Sequence, residues 1–234
     1  MSNYKRVLLK LSGEALAGDK SVGFDETNVM VVANQVKKLI DKGVEIGVVI
    51  GGGNFWRGRS SKIMDRTKAD EIGMMATIMN ALYTSAMFRT IGIDTIVQTP
   101  FEVGMMTERF SKDSALNHLK NGCVVFFAGG TGHPYFSTDT GAALRAIEIE
   151  AEVILLAKNI DGVYDSDPKT NDKAIKFDSI SLSEVITKNL KVMDHTAAIM
   201  CLEHKMPMSV FYLNDEDSIV NAISDKINGT VVTV

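Results

Sequence analysis

Short β-branched or apolar runs alternate with helix-length segments from one end of this chain to the other, and that alternation restricts it to few folds. Strands are predicted over residues 7–11, 45–50, 94–98, 123–128, 152–157, 208–213 and 230–234, several of them ending at Gly or Pro. Between the first two, Val29, Val32, Ala33, Val36, Leu39 and Ile40 fall on one helical face, which Gly43 terminates. A longer helix is expected from about Thr67 to Ile91, carrying Ile72, Met75, Met79, Ala86 and Met87. Its Met74, Met75 and Met79 read as core filler or subunit-contact surface rather than as a ligand site. Further helices are expected after Asp139, Ser181 and Asp194. Strands that are apolar throughout and separated by helices imply an α/β fold, a mostly parallel sheet covered on both faces. Ligands of such sheets bind beyond the carboxyl ends of the strands, so chemistry is expected in the residues that follow each strand.

At 234 residues the chain buries one substantial core, and residues 1–234 are expected to form a single domain. The net charge of −4 argues against a nucleic-acid partner, which needs a basic face, but leaves room for a small phosphorylated ligand. Cys123 and Cys201 fit neither a metal spacing nor a disulfide framework and read as reduced core thiols. The first strand follows almost directly on the N-terminus without a signal-peptide pattern, and no apolar run is long enough to span a bilayer. The expected location is cytoplasmic, with no membrane partner.

The first strand closes on Lys10-Leu11-Ser12-Gly13, which can aim an ammonium and several backbone N–H groups at one anion. A solvated lysine beside an ordinary turn is the alternative. Gly13 and Gly18 have the separation of a Walker A loop, but Asp19 intrudes before Lys20-Ser21, so this is not a P-loop. After the second strand comes Gly51-Gly52-Gly53-Asn54-Phe55-Trp56-Arg57-Gly58. Its glycines permit close backbone approach and positive φ, and Arg57 can make a forked contact to phosphate, although a triple glycine also serves as a flexible turn. The run departs from Gly-x-Gly-x-x-Gly, which disfavours a dinucleotide-binding dehydrogenase.

After the fourth strand, Gly129-Gly130-Thr131-Gly132-His133-Pro134-Tyr135-Phe136-Ser137-Thr138-Asp139 leads into a helix expected to begin near Thr140. Thr138 or Asp139 as a plain N-cap explains one residue and leaves the long polar loop unexplained. A loop offering N–H groups, hydroxyls and an aromatic face suits a nucleoside monophosphate. His133 has no second His or Cys nearby and reads as ligand-contacting or solvent-facing. The fifth strand runs into Lys158-Asn159-Ile160-Asp161-Gly162-Val163-Tyr164 and Asp165-Ser166-Asp167-Pro168, where Asp-Gly and Asp-Pro are also ordinary turn signals. Four loops of this composition at one sheet edge together read as a phosphoryl-transfer site, in which protein groups align two phosphates and neutralise charge.

With these residues in place, the chain resembles the bacterial UMP kinases of the amino acid kinase family over essentially its whole length. The stretches that carry the resemblance are 4–16, the 51–58 loop, Gly73-Met74-Met75-Ala76-Thr77-Ile78-Met79-Asn80, the 131–139 loop, Leu190-Lys191-Val192-Met193-Asp194 and the closing Gly229-Thr230. The resemblance implies a three-layer α/β/α sandwich, assembled as a homohexamer, that moves the γ-phosphoryl group of ATP onto UMP with Mg2+ in pyrimidine nucleotide synthesis. ATP would lie over residues 158–167, along Lys158 and Asn159, with Tyr164 and Asp167 near adenine and ribose. Lys10, Leu11, Ser12, Gly13, Gly53 and Arg57 would meet ATP phosphates or the transferring group. UMP would be held by Gly52, by Asp70 at its ribose, and by Thr131, Gly132, His133, Pro134, Tyr135, Phe136, Ser137 and Thr138. Lys10, Arg57, Asp139 and Asp194 would carry catalysis, the two carboxylates organising the lysine and magnesium, with no metal ligand directly assigned. The UMP phosphate oxygen attacks directly. His133 stands where many members carry Asn. Gly18, Asp19, Lys20, Ser21, Val22 and Gly23 align with a region tied to GTP activation, keeping its length and end glycines but not its interior. GTP activation and UTP inhibition are left open.

Three rivals remain at this stage: an amino acid or carbamate kinase on the same fold, a nucleotide- or oxyanion-binding protein without turnover, and a Rossmann dehydrogenase. The first lacks a ribose-binding acid, the second has no use for Lys10, Arg57, Asp139 and Asp194, and the glycine spacing disfavours the third.

Overall fold

The structure is a computed structural model and describes residues 4–18, 20, 22–56, 63–213, 217–224 and 227–234. At its centre β1 (Arg6–Leu11) and β2 (Glu45–Ile50) run parallel, Arg6 opposite Glu45 and Leu11 opposite Ile50. The chain passes between them through α1 (Gly13–Ala17) and α2 (Glu26–Ile40). The predicted apolar face of α2 is where the helix meets the sheet, with Val29, Val32, Ala33, Val36 and Leu39 fully buried. Asp25 caps its start, accepting from Thr27 and Asn28 N–H, and Gly43 follows its end at a φ of 82°.

Beyond β2, α3 (Arg66–Arg89) leads to β3 (Thr95–Thr99), β4 (Glu108–Arg109), α4 (Lys112–Lys120) and β5 (Val124–Phe127). Then come α5 (Thr138–Glu148), β6 (Val153–Lys158) and a small antiparallel hairpin of β7 (Val163–Tyr164) and β8 (Lys176–Phe177). The chain ends through β9 (Ser179–Ser181), α6 (Leu182–Thr187), α7 (His195–Glu203), β10 (Met208–Tyr212), α8 (Ser218–Ala222) and β11 (Gly229–Thr233). The nine-stranded sheet has the order β4-β3-β5-β2-β1-β6-β10-β11-β9. Its strand pairs are parallel except β10 with β11.

Two hydrophobic cores lie on opposite faces of this sheet, giving three layers. One joins Val7, Leu9 and Leu11 to α2, α3 and α8; the other joins Leu8 to α4, α5, α6 and α7. Strand alternation then decides where the lysines go. Lys10 shares the face of Leu8, and Lys158 shares that of Ile154 and Leu156 on the neighbouring strand, Lys10 being paired with Leu156. Both ammonium groups therefore emerge at the carboxyl ends of adjacent strands, on the α5 side.

The α3 prediction needs correcting in one respect. Ile72, Met75 and Met79 are 40%, 46% and 46% exposed, so this stripe is not core filler. The buried face of α3 is instead Ala69, Ala76, Thr77, Ile78, Asn80, Ala81, Thr84, Ser85 and Phe88, a small and partly polar set that hydrophobic periodicity does not mark. Cys201 is buried in the core and its thiol is pushed up to about 12 by burial. Cys123 is only half-buried and sits outside both cores, its thiol pushed up to about 11, again mainly by burial.

Candidate active site

The carboxyl ends of β1, β2, β5 and β6 open into a cavity of about 540 Å³. Its floor is Lys10, Ser12, Gly13 and Gly51 to Gly53; one wall is α3 at Arg66, Asp70, Gly73, Met74 and Thr77. The opposite wall is Gly130, Thr131, His133, Phe136 to Asp139, Lys158 and Lys191 to Asp194. Met74 therefore does line a candidate ligand site, against the sequence expectation.

Lys10 Nζ lies 2.7 Å from Asp139 Oδ1, both side chains largely withdrawn from solvent. Burial by itself would raise the Asp139 pKa, but the Lys10 charge and hydrogen bond, Lys158, and a backbone contact from Asp194 outweigh it and hold the carboxyl below its ordinary range. Lys158 is pulled below its usual value by burial and by the like charge of Lys10, with Asp139 opposing. Its Nζ also donates to Val192 O. Lys10 and Lys158 thus both act on Asp139 at the strand ends, where two ammonium groups are placed to meet an anionic ligand.

The alternative of Thr138 or Asp139 as a plain N-cap does not hold. Ser137, not Thr138 or Asp139, caps α5, its Oγ accepting from Asp139 N–H at 3.0 Å and Thr140 N–H at 3.3 Å. Asp139 falls in the first turn with no capping duty, free to face Lys10. Asp194 caps α7 through Ala197 N–H at 3.0 Å, and its carboxylate also accepts from Ser137 Oγ and from Thr140 Oγ1 at 3.0 Å. Those contacts tie the first turns of α5 and α7 together across the cavity wall.

Asp139→Asn should still fold, because Ser137 keeps the cap, but melt below the parent at neutral pH, where the Lys10 pair is lost, and lose about 10²-fold or more in turnover. The folded pKa of Asp139 is depressed, so its contribution to stability is present above the ordinary carboxylate range and is lost as pH falls through the folded value. The variant should flatten that part of the stability curve. Melting curves across the acid range together with kcat check both halves; unimpaired turnover would make Asp139 a bystander.

The glycine loop works by space rather than by φ. None of Gly51, Gly52 and Gly53 has positive φ. A Cβ on Gly52 would meet Ala76 Cβ at 2.9 Å and Gly73 O at 3.0 Å, so the absence of a side chain lets the loop lie directly on α3. Positive φ is concentrated instead in the next glycine loop, at Gly129 (80°), Gly130 (59°) and Gly132 (83°), with Tyr135 at 74°. Across the cavity, Asp70 Oδ2 accepts from Arg66 Nε and from Tyr135 N–H, each at 2.8 Å. Among the described residues, these contacts hold the carboxylate at Oδ2, at the edge of the cavity.

Other predicted residues lie elsewhere. Leu11 is a fully buried core side chain outside the cavity lining, as β alternation requires. Gly132, Pro134 and Tyr135 are also outside it, and Tyr135 is 65% exposed. Tyr164 and Asp167 line a second cavity of about 380 Å³, which shares Lys158, Lys191 and Val192 with the first; exposed Asn159 lines neither. The Tyr164 hydroxyl donates to Asp161 at 2.8 Å, and Asp167 Oδ1 accepts from Lys169 N–H in its own turn. Arg57, Asp19 and Ser21 lie outside the described residues. Of the neighbouring stretch, Gly18 has a φ of 58° and Lys20 Nζ donates to Phe24 O at 2.9 Å, while Val22 is exposed and Gly23 half-buried.

Sequence reasoning missed Arg66, Thr77, Thr140, Lys191 and the buried Asn54 and Asn80. Arg66 and Asp70 have the (i, i+4) spacing of a helical ion pair, a signal that was legible. The others depend on which helix face meets which loop.

A profile described as the amino acid kinase family matches residues 5–212. Among solved structures, a UMP kinase from Bacillus anthracis superposes with a TM-score of 0.94 at 34% identity, covering 98% of this chain and 96% of its own. A UMP kinase from Ureaplasma parvum gives 0.93 at 37% identity, covering 98% and 99%. A uridylate kinase from Archaeoglobus fulgidus gives 0.73 at 26% identity over 100% of both chains.

Proposed function

Because this chain belongs to the amino acid kinase family, we propose that it transfers the γ-phosphoryl group of ATP to UMP, giving ADP and UDP for pyrimidine nucleotide (CTP) synthesis. One observation carries the reading. The Lys10–Asp139 pair and the backbone of Gly51 to Gly53 form one end of a cavity whose wall presents Asp70, a carboxylate suited to sugar hydroxyls. ATP enters by the second cavity, its base against Tyr164 and its phosphates directed past Lys158 toward Lys10. UMP lies between α3 and the 130–138 loop. The phosphate oxygen of UMP is the nucleophile, so the protein's work is alignment and charge neutralisation. Lys10 follows charge onto the transferring phosphoryl, while Asp139 orients Lys10.

Among the described residues no group of three or more His, Cys, Asp or Glu side chains is placed to hold a metal. Asp139 and Asp194 are both engaged by protein donors. That donor set fits Mg2+ carried mainly by nucleotide phosphates with at most one or two carboxylates from the protein, and such an ion would neutralise phosphate charge. A single domain over residues 1–234 belongs to the same reading, as does a cytoplasmic location; no helix of the described residues is long and apolar enough to cross a membrane. So does a homohexamer that covers Ile72, Met75 and Met79, with GTP as activator near residues 18–23 and UTP as inhibitor.

Incubation with γ-labelled ATP, magnesium and UMP should move the label into UDP. Label released only as inorganic phosphate would contradict the proposal.

A further inference from the structure

Asn54 follows the glycine loop and Asn80 lies midway along α3; their exposures are 2% and 0%. Their amides bond to each other in both directions, Asn54 Nδ2 to Asn80 Oδ1 at 3.0 Å and Asn80 Nδ2 to Asn54 Oδ1 at 2.8 Å. Each amide has one N–H left. That of Asn80 donates to Gly51 O at 2.6 Å, and that of Asn54 to Gly23 O at 2.9 Å. All four donors are used, and turning either amide over would set carbonyl against carbonyl. Gly13 packs on the same pair, since a Cβ there would stand 2.3 Å from Asn54 Oδ1, 3.0 Å from Asn80 Nδ2 and 2.4 Å from Gly51 O.

We propose that the Asn54–Asn80 amide pair is a positioning device that sets the Lys10–Gly13 turn and the Gly51–Gly53 loop in register with α3, the helix carrying Asp70, and so fixes donor against acceptor. The proposal rests on the reading of the cavity as a phosphoryl-transfer site. Three chain segments that line one cavity meet at these two side chains. A neutral pair suits the place, because it is rigid through four hydrogen bonds yet adds no charge beside the phosphates and leaves the field of Lys10 and Lys158 unaltered. Removing both asparagines also takes the donors from Gly51 O and Gly23 O, so the pair supports stability too, and a lowered melting temperature alone does not separate the two roles. A misplacement of about 1 Å between reacting groups, by contrast, costs about 10²-fold in rate.

The test compares Asn54→Ala, Asn80→Ala, the double variant and the milder Asn54→Ser with Val232→Ala, a fully buried position on β11 far along the sheet. Each is assayed with ATP and UMP well below its own unfolding midpoint. The expected result is a fall in kcat of about 10- to 100-fold with KM for either nucleotide within about threefold. The double variant should fall no further than the worse single one, as for groups acting as a unit. Val232→Ala should lower the melting temperature and leave kcat alone. Asn54→Ser decides should the alanine variants not fold. Asparagine variants whose kcat stays within about threefold of the parent, like the Val232→Ala control, would overturn the proposal. A parent that turns over a different acceptor would sink the functional reading instead, and the same comparison then runs on that acceptor.

Discussion

Lys10→Ala is expected to lower kcat by about 10²- to 10³-fold while changing the affinity for UMP little. The lysine side chain is 13% exposed, stands at the carboxyl end of the central strand, and is paired at 2.7 Å with Asp139. A cation in that position meets the transferring phosphoryl, whose charge demands most in the transition state, so its loss falls on the chemical step. Loss of Lys10 also strands Asp139 beside the cavity, where burial would then favour its neutral form. Lys10→Ala combined with Asp139→Asn should therefore be little worse than Lys10→Ala alone, because the two act as a unit. Steady-state kinetics with direct UMP binding settles the matter; a kcat within about threefold of the parent takes Lys10 out of the mechanism.

UMP should be strongly preferred to dUMP, by up to about 10⁴-fold in kcat/KM, and Asp70→Ala should erase most of that preference by harming UMP. A simpler role for Asp70 would be that of a helix-end charge favoured by the dipole. The structure weakens that alternative, because Asp65 caps α3 and Asp70 lies beyond the first turn, where the dipole effect fades. Arg66 and Tyr135 N–H hold Oδ2, and the residue lines the cavity. A carboxylate held this way is preorganised for a sugar hydroxyl and is left short of a partner when the hydroxyl is missing. The check is kcat/KM for both acceptors on both proteins. Equal use of dUMP by the parent, or a preference undiminished in the variant, would return Asp70 to a structural role.

The sheet was legible because its central strands are apolar on both faces, and a parallel sheet under two helical layers leaves no other pattern. β4 and β7, of two residues each, carry no periodicity to read. The buried face of α3 was misjudged because small and polar residues pack there while larger methionines face outward. At the site, Lys10, Asp139, the glycine loops and Asp70 were readable from their places after strands or early in a helix, where chemistry concentrates in this fold class. Asn54 and Asn80 were not, because an amide pair shows itself only once a loop and a helix 26 residues apart in sequence are brought together. The cap of α5 is not legible in the sequence for a related reason. Ser137, Thr138 and Asp139 can each cap a helix, and the ion pair to Lys10 draws Asp139 away from that duty.

The most direct test of the central claim is an acceptor panel: ADP release from ATP and magnesium, coupled to a spectrophotometric readout, with UMP, CMP, aspartate, acetylglutamate and carbamate each supplied in turn. Rapid release is expected with UMP, far slower release with CMP, background rates with the other acceptors, and UDP as the product recovered. Turnover with an amino acid or carbamate and none with UMP would contradict that claim.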